Sequence, residues 1–237
     1  MPSLTLVEQA ECVVLLHGLA RRAASMKGMQ EALIDHGYLV ANIDYPSRTK
    51  PIASLAVAVE EGLKECEKAG GGTVHFVTHS LGGILLRHHL SLHSIDHFGR
   101  AVMLGPPNHG SEVVDAMRDV PGYVFLNGPA GLELGTDEGS VPLSLGAVHV
   151  DVAVIAGTSS INLILSTHLP DPDDGKVSVA SARLDGMCAM LQMPVSHPFL
   201  MSDKDIISEV ISYLSTGEFN SPEAEYPECG HRFQPQM

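Results

Sequence analysis

The four cysteines of the chain, at 12, 66, 188 and 229, form no CxxC pair. Metal-binding and redox motifs are therefore not indicated. Cys12 lies in an apolar run, where a buried thiol is expected. Cys229-Gly230-His231 has no partner ligands nearby in sequence, short of the four that a structural zinc site needs. Positive charge is also scarce: 14 basic side chains face 28 acidic ones, for a formal charge of −14. That balance disfavours nucleic acid and anionic membrane surfaces as partners. It also leaves no evident basic patch for the phosphates of an acyl-CoA. No stretch reaches the roughly 18 to 20 uncharged apolar residues of a transmembrane helix. The first eleven residues lack a basic segment followed by an apolar one, so the sequence predicts a cytoplasmic protein, or a secreted one if a signal has been removed. Internal repeats are absent as well.

What is present suits one large α/β domain. The 237 residues are 44% hydrophobic, enough for a sizeable core. Short β-branched runs alternate with helix-like spacing. Strands are predicted at 12–16, 38–43, 73–77, 100–104, 151–155 and 176–179. Helices are predicted at 23–36, 52–69, 80–92, 112–118 and 205–214. Residues 119–147 read as irregular and rich in Gly, Pro and Ser, the composition of a small lid or insertion. Residues 157–172 read as a loop with an apolar patch at Ile161, Leu163, Ile164 and Leu165. Buried runs alternating with helices indicate a doubly wound, mostly parallel sheet. The domain is expected to span 1–216, followed by a polar tail at 217–237 along the surface.

The stretch 73–85 carries the chemistry. An apolar strand, Thr73 to Val77, turns through Thr78-His79-Ser80-Leu81-Gly82 into the apolar residues of a helix. A serine at the apex of a strand-to-helix turn is the layout of a nucleophile elbow. Gly82 and Gly83 suit the tight turn. Thr78 stands where such elbows usually have glycine, and an isolated T-x-S-x-G-G would otherwise read as an ordinary turn serine. A serine hydroxyl needs a base, an acid to hold the base, and donors for the oxyanion. His17-Gly18-Leu19 follows the first strand, so the backbone N–H groups of Leu19 and Leu81 are the expected oxyanion donors. Gly18 lets the backbone come close to substrate. His17 reads as tying that loop by hydrogen bonds, and His79 as pointing away from the serine.

Together V-L-L-H-G-L, T-H-S-L-G-G, P-P-N-H-G-S, D-D-G-K-V-S-V and S-H-P-F-L resemble the bacterial esterases and lipases of the α/β-hydrolase superfamily over about residues 12–214. The resemblance implies a reduced α/β-hydrolase fold, with six or so mostly parallel strands flanked by helices and no large cap. It places the acid at Asp174, in the D-G-x-V turn, with Asp173 the alternative and Asp171 close by. It places the base at His197, with His231 second and His168 upstream of the acid. The order Ser80, Asp174, His197 is that of the fold. Substrate contacts are expected from His17, Gly18, His79 and Phe199, and Leu19, Leu81, Leu163, Ile164, Leu165 and Phe199 could line an acyl pocket or belong to the core. Asn108 and His109 read as shaping their loop. The implied activity is serine carboxylic ester hydrolysis on a small-molecule ester or lipid, through an acyl-enzyme and without metal or organic cofactor. The alternatives are an acyltransferase or thioesterase with the same triad, or a non-catalytic binding protein on this scaffold.

Overall fold

The computed structural model describes residues 9–161 and 166–230. Six strands form one parallel sheet in the order β2-β1-β3-β4-β5-β6: β1 (Cys12–Leu16), β2 (Leu39–Ile43), β3 (Val74–His79), β4 (Phe98–Leu104), β5 (Val152–Gly157) and β6 (Ala189–Met193). Parallel sheets are covered on both faces, so their inner strands read as unbroken apolar runs. β1 (CVVLL) and β5 (VAVIAG) are buried at every residue. The edge strands β2 and β6 are only partly buried.

Alternation along β1 divides the core into two layers. Val14 and Leu16 pack with Phe76, Ile84 and Leu85 on one face. Val13 and Leu15 pack with Val77, Met29, Leu33 and Val210 on the other. The first layer is closed by α3 (Val57–Lys68) and α4 (Leu81–Leu92), the second by α1 (Lys27–Asp35) and the C-terminal helix α9 (Lys204–Thr216). Asp203 caps that last helix, its carboxylate accepting from the N–H groups of Asp205 and Ile206. α2 (Ile52–Leu55) is a single turn that buries Ile52 and Leu55.

The order of the strands decides where a ligand can sit. β1 lies between β2 and β3, so the chain goes outward to β2 and then returns past β1. Loops at the carboxyl ends of β1 and β3 therefore part on either side of a crevice, the switch point at which open α/β sheets bind ligands. Those loops hold His17-Gly18-Leu19 and Ser80.

Three expectations are corrected. The last strand is Ala189–Met193, pairing with β5 from Ala153↔Ala189 to Gly157↔Met193. Residues 176–179 instead form a turn, with an isolated Asp173↔Ser178 bridge, that leads into α8 (Val179–Ala182). The six strands are parallel throughout, in keeping with the expected mostly parallel sheet. Second, the stretch after α5 (Glu112–Met117) contains α6 (Tyr123–Leu132) and α7 (Val141–Ser144). The Asn127-Gly128-Pro129 break hides α6 from its periodicity: Gly128 sits at φ +66 inside it, and a β-carbon there would meet the Arg48 carbonyl. Third, Cys12 is not a free thiol. Cys12 joins Cys66, tying the start of β1 to the end of α3, and Cys188 joins Cys229. The tail to residue 230 is held by that second bond and by the paired backbones of Met190 and Glu225, which cover the β6 edge. Among the described residues no helix is long and apolar enough to cross a membrane. Leu163, Ile164, Leu165 and His231 lie outside the described residues.

Candidate active site

Ser80 stands between β3 and α4 at φ 52 and ψ −119. A non-glycine residue at positive φ is held against its preference, typically at a cost of about 1–3 kcal/mol. The surroundings enforce it. The Ser80 N–H donates to the Leu104 carbonyl at 2.9 Å, and the Ser80 carbonyl accepts from Gly83 N–H at 3.0 Å. Gly82 brings α4 close to β1: a β-carbon there would lie 2.5 Å from the Leu16 carbonyl oxygen. The strained turn presents the serine side chain to a cleft, and no other protein group among the described residues takes its hydroxyl in a hydrogen bond.

His197 and Asp174 meet at the same cleft. His197 Nδ1–H donates to Asp174 Oδ2 at 2.7 Å. The other carboxylate oxygen, Oδ1, accepts from the N–H groups of Lys176 at 3.0 Å and Val177 at 2.9 Å. The two residues are also joined through the backbone, His197 N–H to Asp174 carbonyl at 2.9 Å. Both are buried, at 4% and 1% exposure, so the pair is shielded from water. Asp173 faces elsewhere: its Oδ1 accepts from Gly175 N–H at 2.6 Å and its Oδ2 from the Ser166 hydroxyl. The adjacent aspartates thus divide two tasks, one holding the imidazole and one holding the turn. His168 is exposed and does not line the cleft.

Two glycines make room for this pair. Gly105, at the end of β4 with φ +54, would place a β-carbon 3.0 Å from Asp174 Oδ2 and 3.1 Å from His197 Nδ1. Gly157, at the end of β5, would place one 2.7 Å from Asp174 Cβ. Neither position is singled out by the sequence, although each closes a strand whose loop faces the crevice.

The loop after β1 is organised from the loop after β2. His17 is fully buried and stacks on Tyr45, with ring centroids 3.9 Å apart. Its Nδ1–H donates to Gly18 carbonyl at 2.9 Å, and its Nε2 accepts from Tyr45 N–H at 3.3 Å. That pattern requires the neutral ring, and burial lowers its pKa, opposed by the Gly18 carbonyl and by Asp44. The Tyr45 hydroxyl donates to the His17 carbonyl, and Ser47 Oγ accepts from Ala20 N–H at 3.1 Å. The Leu19 and Leu81 N–H groups are left without protein acceptors among the described residues. His79 is buried beside His197, ring centroids 4.8 Å apart, and its Nε2–H donates to the His197 carbonyl at 3.0 Å. Burial, and then the neighbouring His197, holds its pKa well below the usual imidazole range. Gly18 is required by this ring, since a β-carbon there would lie 2.6 Å from His79 Nδ1.

The cleft has a volume of about 550 Å³. Leu19, His79, Ser80, Asp174 and His197 line it, whereas His17, Gly18, Leu81 and Phe199 do not. His17 and Gly18 are buried in the loop after β1, and the Leu81 side chain belongs to the core. Phe199 is half exposed outside the cleft. The apolar wall comes from α5, the turn after it and α6, including Val113, Met117, Val120 and Leu126, together with Ile161. Val124, Phe125 and Leu126 are exposed on α6. Asn108 shapes its loop as expected: it receives two hydrogen bonds from buried Arg87 and donates to the Ala182 carbonyl at 2.8 Å. Arg87 also donates to three carbonyls in 142–146, so one cation without a carboxylate ties α4 to α7 and the residues just after it. Burial lowers that guanidinium's pKa to about 10.

No protein-family model matches the chain, and no curated protein sequence matches it significantly. Solved structures do. Mature lipase BlEst2 of Bacillus licheniformis is 19% identical with a TM-score of 0.70, over 92% of this chain and 96% of that one. The chain covers 53% of the propeptide form of that lipase. A structure from the metagenome-derived lipolytic enzymes LipS and LipT is 15% identical with a TM-score of 0.65, over 87% and 94%. The metagenomic carboxyl esterase MGS0156 is 18% identical with a TM-score of 0.65, over 89% and 72%. With these neighbours and its helix-flanked parallel sheet of six strands, the chain has the α/β-hydrolase fold in a reduced form.

Proposed function

We propose that the protein is a serine carboxylic ester hydrolase, an esterase or lipase for short- to medium-chain acyl esters. One observation carries the reading: the buried Asp174–His197 pair opens on the same cleft as Ser80, itself held in an elbow conformation. His197, fixed as the Nδ1–H tautomer by Asp174, presents Nε2 as the base. It removes the Ser80 proton as Oγ attacks the ester carbonyl. The N–H groups of Leu19 and Leu81 receive the oxyanion, and each such donor is typically worth on the order of 10²- to 10³-fold in rate. His197 then returns the proton to the leaving alkoxide, and water repeats the steps to free the acid. Asp174 stabilises the imidazolium formed at each stage. The neighbours named as lipases and esterases lend the reading weight at the level of fold.

Two disulfides without a free thiol among the described residues favour an oxidising compartment over the cytoplasm as the working location. The test of the activity is fluorophosphonate labelling together with hydrolysis of nitrophenyl esters of graded chain length. Wild-type protein should label and turn over, and Ser80→Ala should do neither. Labelling of Ser80→Ala to the same extent would refute the assignment.

A further inference from the structure

Six of the 14 cations of this acidic protein are neutralised by a neighbouring carboxylate. Lys27, Lys64, Lys68, Arg100, Arg118 and Arg183 each pair with a carboxylate. Arg21, Arg22, Arg48, Lys50, Lys176 and Lys204 do not: among the described residues their side chains make no ion pair and no hydrogen bond. Of these, Arg21, Arg48 and Lys176 line the cleft that holds Ser80 and His197, and they reach it from three separate loops. Asp174 is the one carboxylate in that lining, and its oxygens are already engaged by His197 and by two backbone N–H groups. The site therefore carries a positive surplus in a chain whose formal charge is −14.

Lys176 is placed rather than trailing. Its N–H is bonded to Asp174, and its carbonyl accepts from the Ser111 hydroxyl at 2.7 Å. The residue lines the cleft at an exposed position, and the surrounding protein removes enough water from its ammonium to lower its pKa. The charge of Arg21 adds to that lowering, and Asp174 opposes it. Two cations drawn together beside one carboxylate that is already engaged are unfavourable alone and favourable around a further anion, where charge-assisted hydrogen bonds form.

We propose that the cleft selects esters that carry an anionic oxygen group, a carboxylate or a phosphate, bound by Arg21, Arg48 and Lys176. The inference rests on the ester-hydrolase reading for its chemistry, but the anion site itself is a matter of charge and placement. Converging cations also raise the on-rate of anionic substrates in a manner that salt weakens.

Two substrate pairs separate the sources of charge. For a carboxylate on the acyl side, mono-4-nitrophenyl glutarate is compared with its neutral methyl ester. For a phosphate on the alcohol side, 1-butyryl-glycerol 3-phosphate is compared with 1-butyryl-glycerol. At least one anionic ester should exceed its neutral partner tenfold or more in kcat/KM at low salt, and the ratio should shrink in 0.5 M sodium chloride. Lys176→Met and Arg21→Gln should each lower that ratio at least tenfold, with Lys176→Arg restoring most of it. Lys64→Gln, on the outer face of α3, serves as the charge control. A ratio at or below one in both pairs, or one indifferent to Lys176→Met and Arg21→Gln, overturns the proposal. Calorimetric titration of Ser80→Ala with glutarate and with glycerol 3-phosphate distinguishes the two readings. If no ester is hydrolysed but one of these anions binds and Lys176→Met abolishes it, the anion site stands and the hydrolase reading falls. If neither anion binds and no anionic preference exists, the anion site falls whatever the activity on neutral esters.

Discussion

The Oγ1 of Thr78 lies 3.3 Å from the point where a β-carbon on Gly83 would stand. Thr78 is fully buried, and it occupies the strand position where an elbow usually keeps glycine. The space it needs is supplied across the turn, because Gly83 on α4 has no side chain to meet it. The small residue has in effect moved from strand to helix. Gly83→Ala should therefore overpack the contact between Thr78, Pro106 and Met103 and cost about 1–3 kcal/mol. Thr78→Gly should leave ester turnover largely intact. The double variant should recover part of the loss from Gly83→Ala, as expected for residues in contact. Denaturant titration of the three variants gives the coupling, and strict additivity would argue against the exchange of space.

Asp173 and Asp174 are adjacent in sequence and distinct in task. Asp174→Asn should favour the wrong imidazole tautomer and lower kcat by about 10⁴-fold. Its folding should be nearly unchanged, because an amide oxygen can still accept from Lys176 and Val177. Asp173→Asn should retain kcat within an order of magnitude and instead lower stability, since Asp173 binds Gly175 and Ser166. Steady-state kinetics and thermal unfolding, measured on both variants, check the division. A larger kinetic loss in Asp173→Asn than in Asp174→Asn would reverse it.

Gly105 supports the same pair from below. Alanine at φ +54 is strained, and its methyl would also press on Asp174 Oδ2, His197 Nδ1 and Leu200 Cδ1. Gly105→Ala should reduce kcat/KM by about 100-fold or more, because an ångström of displacement at the base is enough for such a loss. A stable, folded variant with unimpaired turnover would show that the pair tolerates the methyl.

Much of this was legible from local pattern, and the remainder needed the chain to close. Buried β-branched runs, read with their spacing, located five of the six strands, because parallel strands lose the alternation that solvent would impose. β6 escaped because Ala189-Met-Leu-Gln-Met193 lacks β-branched residues and follows a turn of Gly and Cys. Helix α6 escaped because Gly128 and Pro129 interrupt it. Asp174 and Asp173 could not be separated by type or spacing, only by which carboxylate faces His197. The cysteine pairs join residues 54 and 41 apart, and the cationic lining joins positions 21, 48 and 176. Neither relationship is local, so neither leaves a motif.

Acid should destabilise the fold through histidines that are kept neutral. Burial lowers the pKa of His17 and holds that of His79 well below the usual value. Asp44 and Arg22 act on His17 in opposite directions, while the charges of His197, Arg21 and Lys176 act with burial on His79 and its hydrogen bond to the His197 carbonyl opposes them. In the unfolded chain both rings take a proton near pH 6.5, so below that pH the unfolded state binds more protons than the folded state. Stability then rises with pH, and it is lost as pH falls below about 6.5 towards the folded-state values, with a slope of about 1.4 kcal/mol per pH unit for each ring. Thermal midpoints measured from pH 7.5 to 5 should fall accordingly. His17→Gln, which can still accept from Tyr45 N–H, should flatten the decline even if it lowers the midpoint at neutral pH. An unchanged slope in that variant would remove His17 from the account.

Reduction should loosen the fold at two separate places. Cys12–Cys66 and Cys188–Cys229 close loops of 54 and 41 residues. Chain entropy alone assigns each about 4 kcal/mol, near the top of the usual range. Their locations predict different consequences. The first staples β1 to α3 at the end of the sheet opposite the cleft, so Cys12→Ala with Cys66→Ala should lower the thermal midpoint with little change in kcat. The second holds the tail against β6, where Glu225 pairs with Met190 and Arg183. Cys188→Ala with Cys229→Ala should therefore release residues 221–230 first, which hydrogen exchange reads as lost protection at the Met190 and Glu225 amides before the rest of the sheet opens. Equal protection of those amides with and without the cross-link would mean that the backbone pairing holds the tail alone.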